Sequence, residues 1–198
     1  MNDPAAARAI VDEVQDLFQR HGDSEYGGEA VTQQQHALQA AYLAERCASP
    51  PSLIVAALLH DVGHLLHDLP VDAPDRGIDD VHEQLGARWL QQRFGPEVVE
   101  PVRLHVAAKR FLCTIEPEYL ETLSEPSKTS LQLQGGLMSA DERQEFARNA
   151  HYEAALALRR FDDGAKVVDA PAPPLQDYMR YIEQVARPAA PADKRGSV

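Results

Sequence analysis

Cysteine is almost missing from this chain: Cys47 and Cys113 are the only two in 198 residues, and they belong to no spaced framework. A disulfide scaffold is excluded. Cations are scarce as well, with 19 Lys and Arg against 31 Asp and Glu and a net charge of -12. Affinity for nucleic acid is largely the neutralisation of phosphates by cations, so no nucleic-acid partner is expected. An anionic ligand would have to be met by a local group of positive side chains. No stretch reaches the roughly 18 apolar residues of a membrane helix, and the opening MNDPAAARAI lacks the basic-then-apolar order of a secretory signal. No membrane partner and a cytoplasmic setting follow as expectations. Strand-like alternation and internal repeats are also lacking, which turns the reading away from sheets and solenoids.

What is there is helical periodicity. With 44% hydrophobic and 25% charged residues, the composition is that of one globular domain. A first helix is predicted from Asp3 as N-cap and Pro4 at N1, with Ile10, Val14, Leu17 and Phe18 on one face. GDSEYGGE at 22–29 is a glycine-rich stretch that predicts a mobile loop. Thr32 and Gln35 form a capping box for a second helix, whose inner stripe is His36, Ala40, Leu43 and Cys47. A third, apolar almost all round, should begin near Ser49 with Pro50 and Pro51 in its first turn and run through LIVAALLHDVGHLL. Pro70, Pro74 and Gly77 break the chain before a helix that begins at His82 and ends at Gly95. The next opens at Pro96, carries His105, Lys109 and Leu112 on one face, and contains Pro101 as a potential kink. Short helices follow near 117–124 and 126–133, then one capped by Ser139 and Glu142, one over 151–162, and a last one over Leu175–Val185. The domain is expected to span 1–186, with 187–198 as a frayed tail.

The chemistry sits on His60 and Asp61, an adjacent pair inside this apolar helix. An ionised carboxylate there demands a cation beside it. His36, His82 and His105 lie at intervals of 22 to 24 residues around it, and Asp162 comes late in the chain. Each interval is about one helix plus one loop, so successive antiparallel helices can bring these groups to one centre. Four imidazoles with two carboxylates favour Fe, Mn, Zn or Ni over Mg or Ca. Six side chains are too many for a single structural zinc, which points to two ions bridged by Asp61. His21, His67 and His151 fall outside this set and are read as ordinary polar residues.

HDVGH at 60–64, with His36 upstream and Asp162 downstream, resembles the H…HD…D signature of the HD-domain superfamily. His82 and His105 narrow the resemblance to its mixed-valent diiron oxygenases. The strings YGGEAVTQQQH at 26–36, HVAAKRFL at 105–112, SKTSLQLQGG at 127–136 and RRFDDGAK at 159–166 are similar to the phosphonate-cleaving PhnZ/TmpB type, over about residues 10–185. The resemblance implies an all-α HD-domain bundle with a dinuclear centre between its central helices. It implies one iron on His36, His60, Asp61 and Asp162, and a second on His82 and His105, with Asp61 bridging. It also implies phosphonate binding by His64, Lys109, Ser127 and Arg159, and a loop pair, Tyr26 and Glu29, that closes over the site. His64 and Lys109 each follow a ligand by one turn and Arg159 precedes Asp162 by three residues, so helical spacing alone would aim them at the same centre.

One stretch departs from that family: RGIDDVH at 76–82 stands where its members have a Gly-Gly-Tyr-Gly segment. Asp79 and Asp80 with Glu29 and Tyr26 would suit a trimethylammonium head, or the loop is an ordinary acidic surface. The activity implied is an O2-dependent, Fe(II)/Fe(III) cleavage of the carbon–phosphorus bond of a 1-hydroxyphosphonate. The substrate would be (R)-1-hydroxy-2-(trimethylammonio)ethylphosphonate or the 2-amino compound, giving phosphate and glycine betaine or glycine. Two readings compete with it. One is an HD-domain phosphohydrolase acting on a small phosphomonoester or nucleotide. The other is a non-catalytic metal sensor, which would be expected to carry a fused output domain. A monomer or weak dimer fits either enzyme.

Overall fold

The computed structural model describes residues 4–66 and 81–187, and these form eleven helices with no strand among them. In order they are α1 Pro4–His21, α2 Gln33–Arg46, α3 Pro51–Leu59, α4 Val62–Leu65, α5 His82–Gln91, α6 Pro96–Ile115, α7 Pro117–Thr122, α8 Glu125–Leu133, α9 Ala140–Arg148, α10 Tyr152–Gly164 and α11 Leu175–Val185. The expected all-α bundle is what the chain forms, and none of these helices is long and apolar enough to cross a membrane. The Asp3 cap, His67, the 68–80 loop with Asp79 and Asp80, and the tail beyond Arg187 lie outside the described residues.

Helix α3 is the axis of the bundle, because Leu53 through Leu59 are all buried and no face of it is polar. It packs on α2, α6, α10 and α11. Burial of each Leu, Ile or Val is worth about 1.5–3 kcal/mol, so this helix contributes a large share of the core. Helix α6 runs unbroken through Pro101 and packs on α5, α7, α9 and α10, with Leu104 and Ala108 against Met138, Phe146 and Ala155. Both capping boxes form: Thr32 with Gln35, and Ser139 with Glu142.

Two local expectations need correcting. The third helix does not run on to residue 66. It stops at Leu59, and Asp61, at φ -101 and ψ 17, leaves the helical region before α4 starts. In an unbroken helix neighbouring side chains point about 100° apart, whereas the break lets His60 and Asp61 serve one centre. Cys47 is not on the inner stripe of α2 but is exposed at its C-cap; the buried face is Ala37, Ala40, Ala41 and Ala44 beside His36. The glycine-rich loop expected at 22–29 closes as a hydrogen-bonded turn. Glu25 bridges to Thr32, Tyr26 N donates to Val31 O and Glu29 N donates to Tyr26 O, with Gly27 and Gly28 at positive φ.

Candidate functional site

Five segments bring six side chains to one buried point: α2 gives His36, the α3–α4 junction His60 and Asp61, α5 His82, α6 His105 and α10 Asp162. Three of the imidazoles are oriented by backbone carbonyls. Nδ1 of His36 lies 2.9 Å from Ala165 O, that of His60 2.8 Å from Ala57 O, and that of His105 2.7 Å from Val102 O. A carbonyl only accepts, so each Nδ1 donates and each Nε2 turns its lone pair inward when the ring is neutral.

The inward nitrogens then meet in pairs, His36 Nε2 to His60 Nε2 at 3.1 Å and His82 Nε2 to His105 Nε2 at 3.2 Å. For His36 and His60, whose Nδ1 atoms both donate outward, two inward lone pairs at that distance repel unless a positive charge lies between or beside them. Asp61 spans both pairs. Its Oδ2 is 3.3 Å from His60 and 3.7 Å from His36, while its Oδ1 is 3.4 Å from both His82 and His105. Asp162 Oδ1 completes the first group at 3.4 Å from His36 and 3.8 Å from His60. Two clusters that could hold a metal ion, His36–His60–Asp61 and Asp61–His82–His105, thus share one carboxylate.

The electrostatics carry the same demand for a cation. Burial pushes His36 down, and it would push His60 down too, but the Asp61 charge with hydrogen bonds to Asp162 and Asp61 brings His60 up to about 10. Burial would raise both carboxylates. His60 and its neighbouring imidazoles nevertheless hold Asp61 well below the usual range, and Arg159 and Lys166 do the same for Asp162. Among the described residues Asp61 Oδ1 is buried with no hydrogen-bond donor on it, as expected of an atom reserved for a ligand. The donor set and its geometry fit a pair of metal ions.

Beside this centre lie the cations that the acidic chain otherwise lacks. Lys109, 3% exposed, donates to Ser130 Oγ at 2.8 Å, and burial, then the Arg159 charge, bring its ammonium down to about 7. Ser127 is buried at the start of α8, and His64 stacks on His82 with ring centroids 4.1 Å apart. Arg159 faces the centre, but its donors are engaged: Nη1 is 2.7 Å from Asp162 Oδ2, and the rest bond Asp163 and the Tyr119 hydroxyl. Tyr26 stacks on His36 at 3.8 Å and reaches within 3.5 Å of Asp162 Oδ1; Glu29 accepts from Ser124 Oγ at 2.5 Å. His21 is exposed and His151 only flanks α10.

Sequence reasoning missed Lys166, Tyr119, Asp163, Ser124 and Ser130. Lys166 lies past the end of α10 at Gly164, so the helical spacing that marked Arg159 does not extend to it. Tyr119 comes from α7 and had no signal either, since only packing brings it to Arg159.

The chain matches the HD domain over residues 34–168. It is 43% identical to a Leisingera caerulea protein named 1-hydroxy-2-(trimethylamino)ethylphosphonate dioxygenase (glycine-betaine-forming), covering 90% of this chain and 89% of that one. It is 46% identical to the hydroxymethylphosphonate dioxygenase of Gimesia maris, covering 85% and 84%. An uncharacterised protein of Acanthamoeba polyphaga mimivirus is 36% identical over 87% of this chain and 79% of its own.

Proposed function

Since this chain belongs to the HD-domain family, and within it to the PhnZ-type phosphonate oxygenases, we propose that it is an O2-dependent oxygenase that cleaves the carbon–phosphorus bond of a 1-hydroxyphosphonate. The observation that carries this reading is Asp61, one oxygen turned to each histidine pair, next to a buried group of cations in an acidic protein.

In this reading His36, His60 and Asp162 would hold one iron and His82 and His105 the other, with Asp61 a ligand available to both. Bound there, an Fe(II)/Fe(III) pair would supply electron transfer to O2 and a Lewis acid for the substrate. The chain's own residues do the rest. Lys109, Ser127 and His64 bind the phosphonate oxygens and set C1 against the metal centre, a matter of orientation and charge. Arg159 braces Asp162, and Asp163 with Tyr119 braces Arg159. Tyr26 covers the His36 side and shuts out water until substrate displaces it. The reaction balances without an external reductant: with one O2, C1 becomes a carboxylate, phosphorus leaves as phosphate and one proton is released.

Glu29 would receive a cationic group on C2, a role for which the sequence also offers Asp80. The substrates favoured are therefore 1-hydroxy-2-(trimethylammonio)ethylphosphonate and its 2-amino analogue, ahead of hydroxymethylphosphonate. The test is phosphate release from these three compounds by iron-loaded protein, with and without O2. Phosphate should appear only aerobically, one for each O2 consumed. Equal release without O2 in Mn- or Co-loaded protein would replace the oxygenase with a hydrolase.

A further inference from the structure

We propose that Lys166 is a positioning residue that couples binding of the phosphonate to release of the Tyr26–Glu29 turn; this rests on the hydroxyphosphonate reading above. Its ammonium donates to Ser127 Oγ at 2.8 Å, and it stands 3.6 Å from Glu29 Oε1, 3.9 Å from Asp162 Oδ1 and 4.0 Å from Asp163 Oδ1. It also lies 5.8 Å from the centre of the Tyr26 ring. One side chain therefore touches the turn, the anion pocket and the carboxylates of α10.

The distances are what make it a latch. A charge-assisted N–H···O bond closes to about 2.7–2.9 Å, and Lys166 reaches that with none of the three carboxylates. It is held among them by charge while its best bond goes to the neutral Ser127 hydroxyl. The side chains of Lys166 and Glu29 are 13% and 15% exposed, so solvent screens the pair weakly.

A doubly charged oxyanion arriving at Ser127 offers Lys166 shorter bonds and more charge than Glu29 does. When the ammonium turns to it, Glu29 loses its counter-charge. The carboxylate is then available to a cationic group on C2. Tyr26 is tied to Glu29 through the Glu29 N to Tyr26 O bond at 2.7 Å, so the pair moves together. The anionic and the cationic ends of the substrate are thereby read in sequence, and a zwitterion is favoured over a simple anion.

Two measurements on metal-loaded protein test this. The first is amide hydrogen exchange of residues 24–31. Lys166→Met should exchange there about fivefold faster than wild type, the worth of one ion pair not closed by a hydrogen bond, while Lys166→Arg stays close to wild type. Methylphosphonate, an anion without a cationic end, should speed exchange of the turn in wild type and leave Lys166→Met unchanged. The second is kinetic: Lys166→Met should raise KM for the trimethylammonio substrate more than for hydroxymethylphosphonate, with a smaller change in kcat. Lys166→Gln replaces Lys166→Met if the latter loses metal or fold. Unaltered exchange of the turn in the neutral variants, or the same change in exchange with methylphosphonate in wild type and variant, overturns the latch. Failure of wild type to release phosphate would instead remove the oxygenase reading and leave the exchange result to judge Lys166.

Discussion

Lys109 and Arg159 are both buried cations beside the centre, and their partners separate their roles. Arg159 spends its guanidinium on Asp162 and Asp163, which holds it well above even its ordinary range despite burial. Among the described residues Lys109 hydrogen-bonds a hydroxyl and no carboxylate, so its charge is disfavoured until an anion arrives. The sign of the stability effect follows. The folded protein releases this proton near pH 7, the unfolded chain near pH 10.4, so between those values the unfolded state holds the extra proton and stability rises with pH. Below about pH 7 the folded state carries the full cost of a buried ammonium. Lys109→Met should therefore raise Tm more at pH 6 than at pH 9.5, by several degrees at about 2–4 °C per kcal/mol. Thermal melts of both proteins at the two pH values check this, and an equal Tm difference at both would show that Lys109 is not held neutral.

At the scale of elements, the junction between α3, α4 and α5 decides whether the second metal cluster exists. Gly63 is the point of closest approach: a Cβ there would lie 2.1 Å from His82 O, so α4 can meet the start of α5 only without a side chain. Gly86 repeats the device one turn further on, against Val62 at 3.2 Å. Val81, just before His82, sits at φ 45, costly for a β-branched residue and tolerated where its surroundings fix it. Gly63→Ala should push α5 away from α4, costing about 1–3 kcal/mol as an overpacked contact. It should empty the His82–His105 side while sparing the His36–His60 side. Metal analysis and denaturant unfolding would report this as one ion per chain with a lowered midpoint, and retention of two ions would show that the contact relaxes freely.

At the scale of the whole molecule, the candidate ligands come from helices that have little else in common in sequence. Metal binding would staple α2, α5, α6 and α10 to the central α3, and a ligand that binds only the folded state stabilises it by about 4 kcal/mol at a thousandfold excess over Kd. A chelator should therefore lower Tm by roughly 10 °C, whereas Asp61→Ala, without the bridge, should melt low already and respond little. The general acidity of the chain has the opposite tendency, towards repulsion of phosphonate at long range, which the Lys109, Lys166 and Arg159 group offsets locally.

What the sequence by itself determined was the helical class, the two capping boxes, most helix boundaries and the six candidate ligands. These depend on local spacing and on residue chemistry, since a carboxylate in an apolar helix needs a cation wherever the helix is packed. The tertiary structure alone decided three things: the break after Leu59 that turns His60 and Asp61 to one centre, the closed form of the 22–32 turn, and the bracing of Arg159 by Tyr119. Each depends on contact between residues far apart in the chain, such as α4 against His82 or α7 against α10, and no local periodicity encodes such a contact.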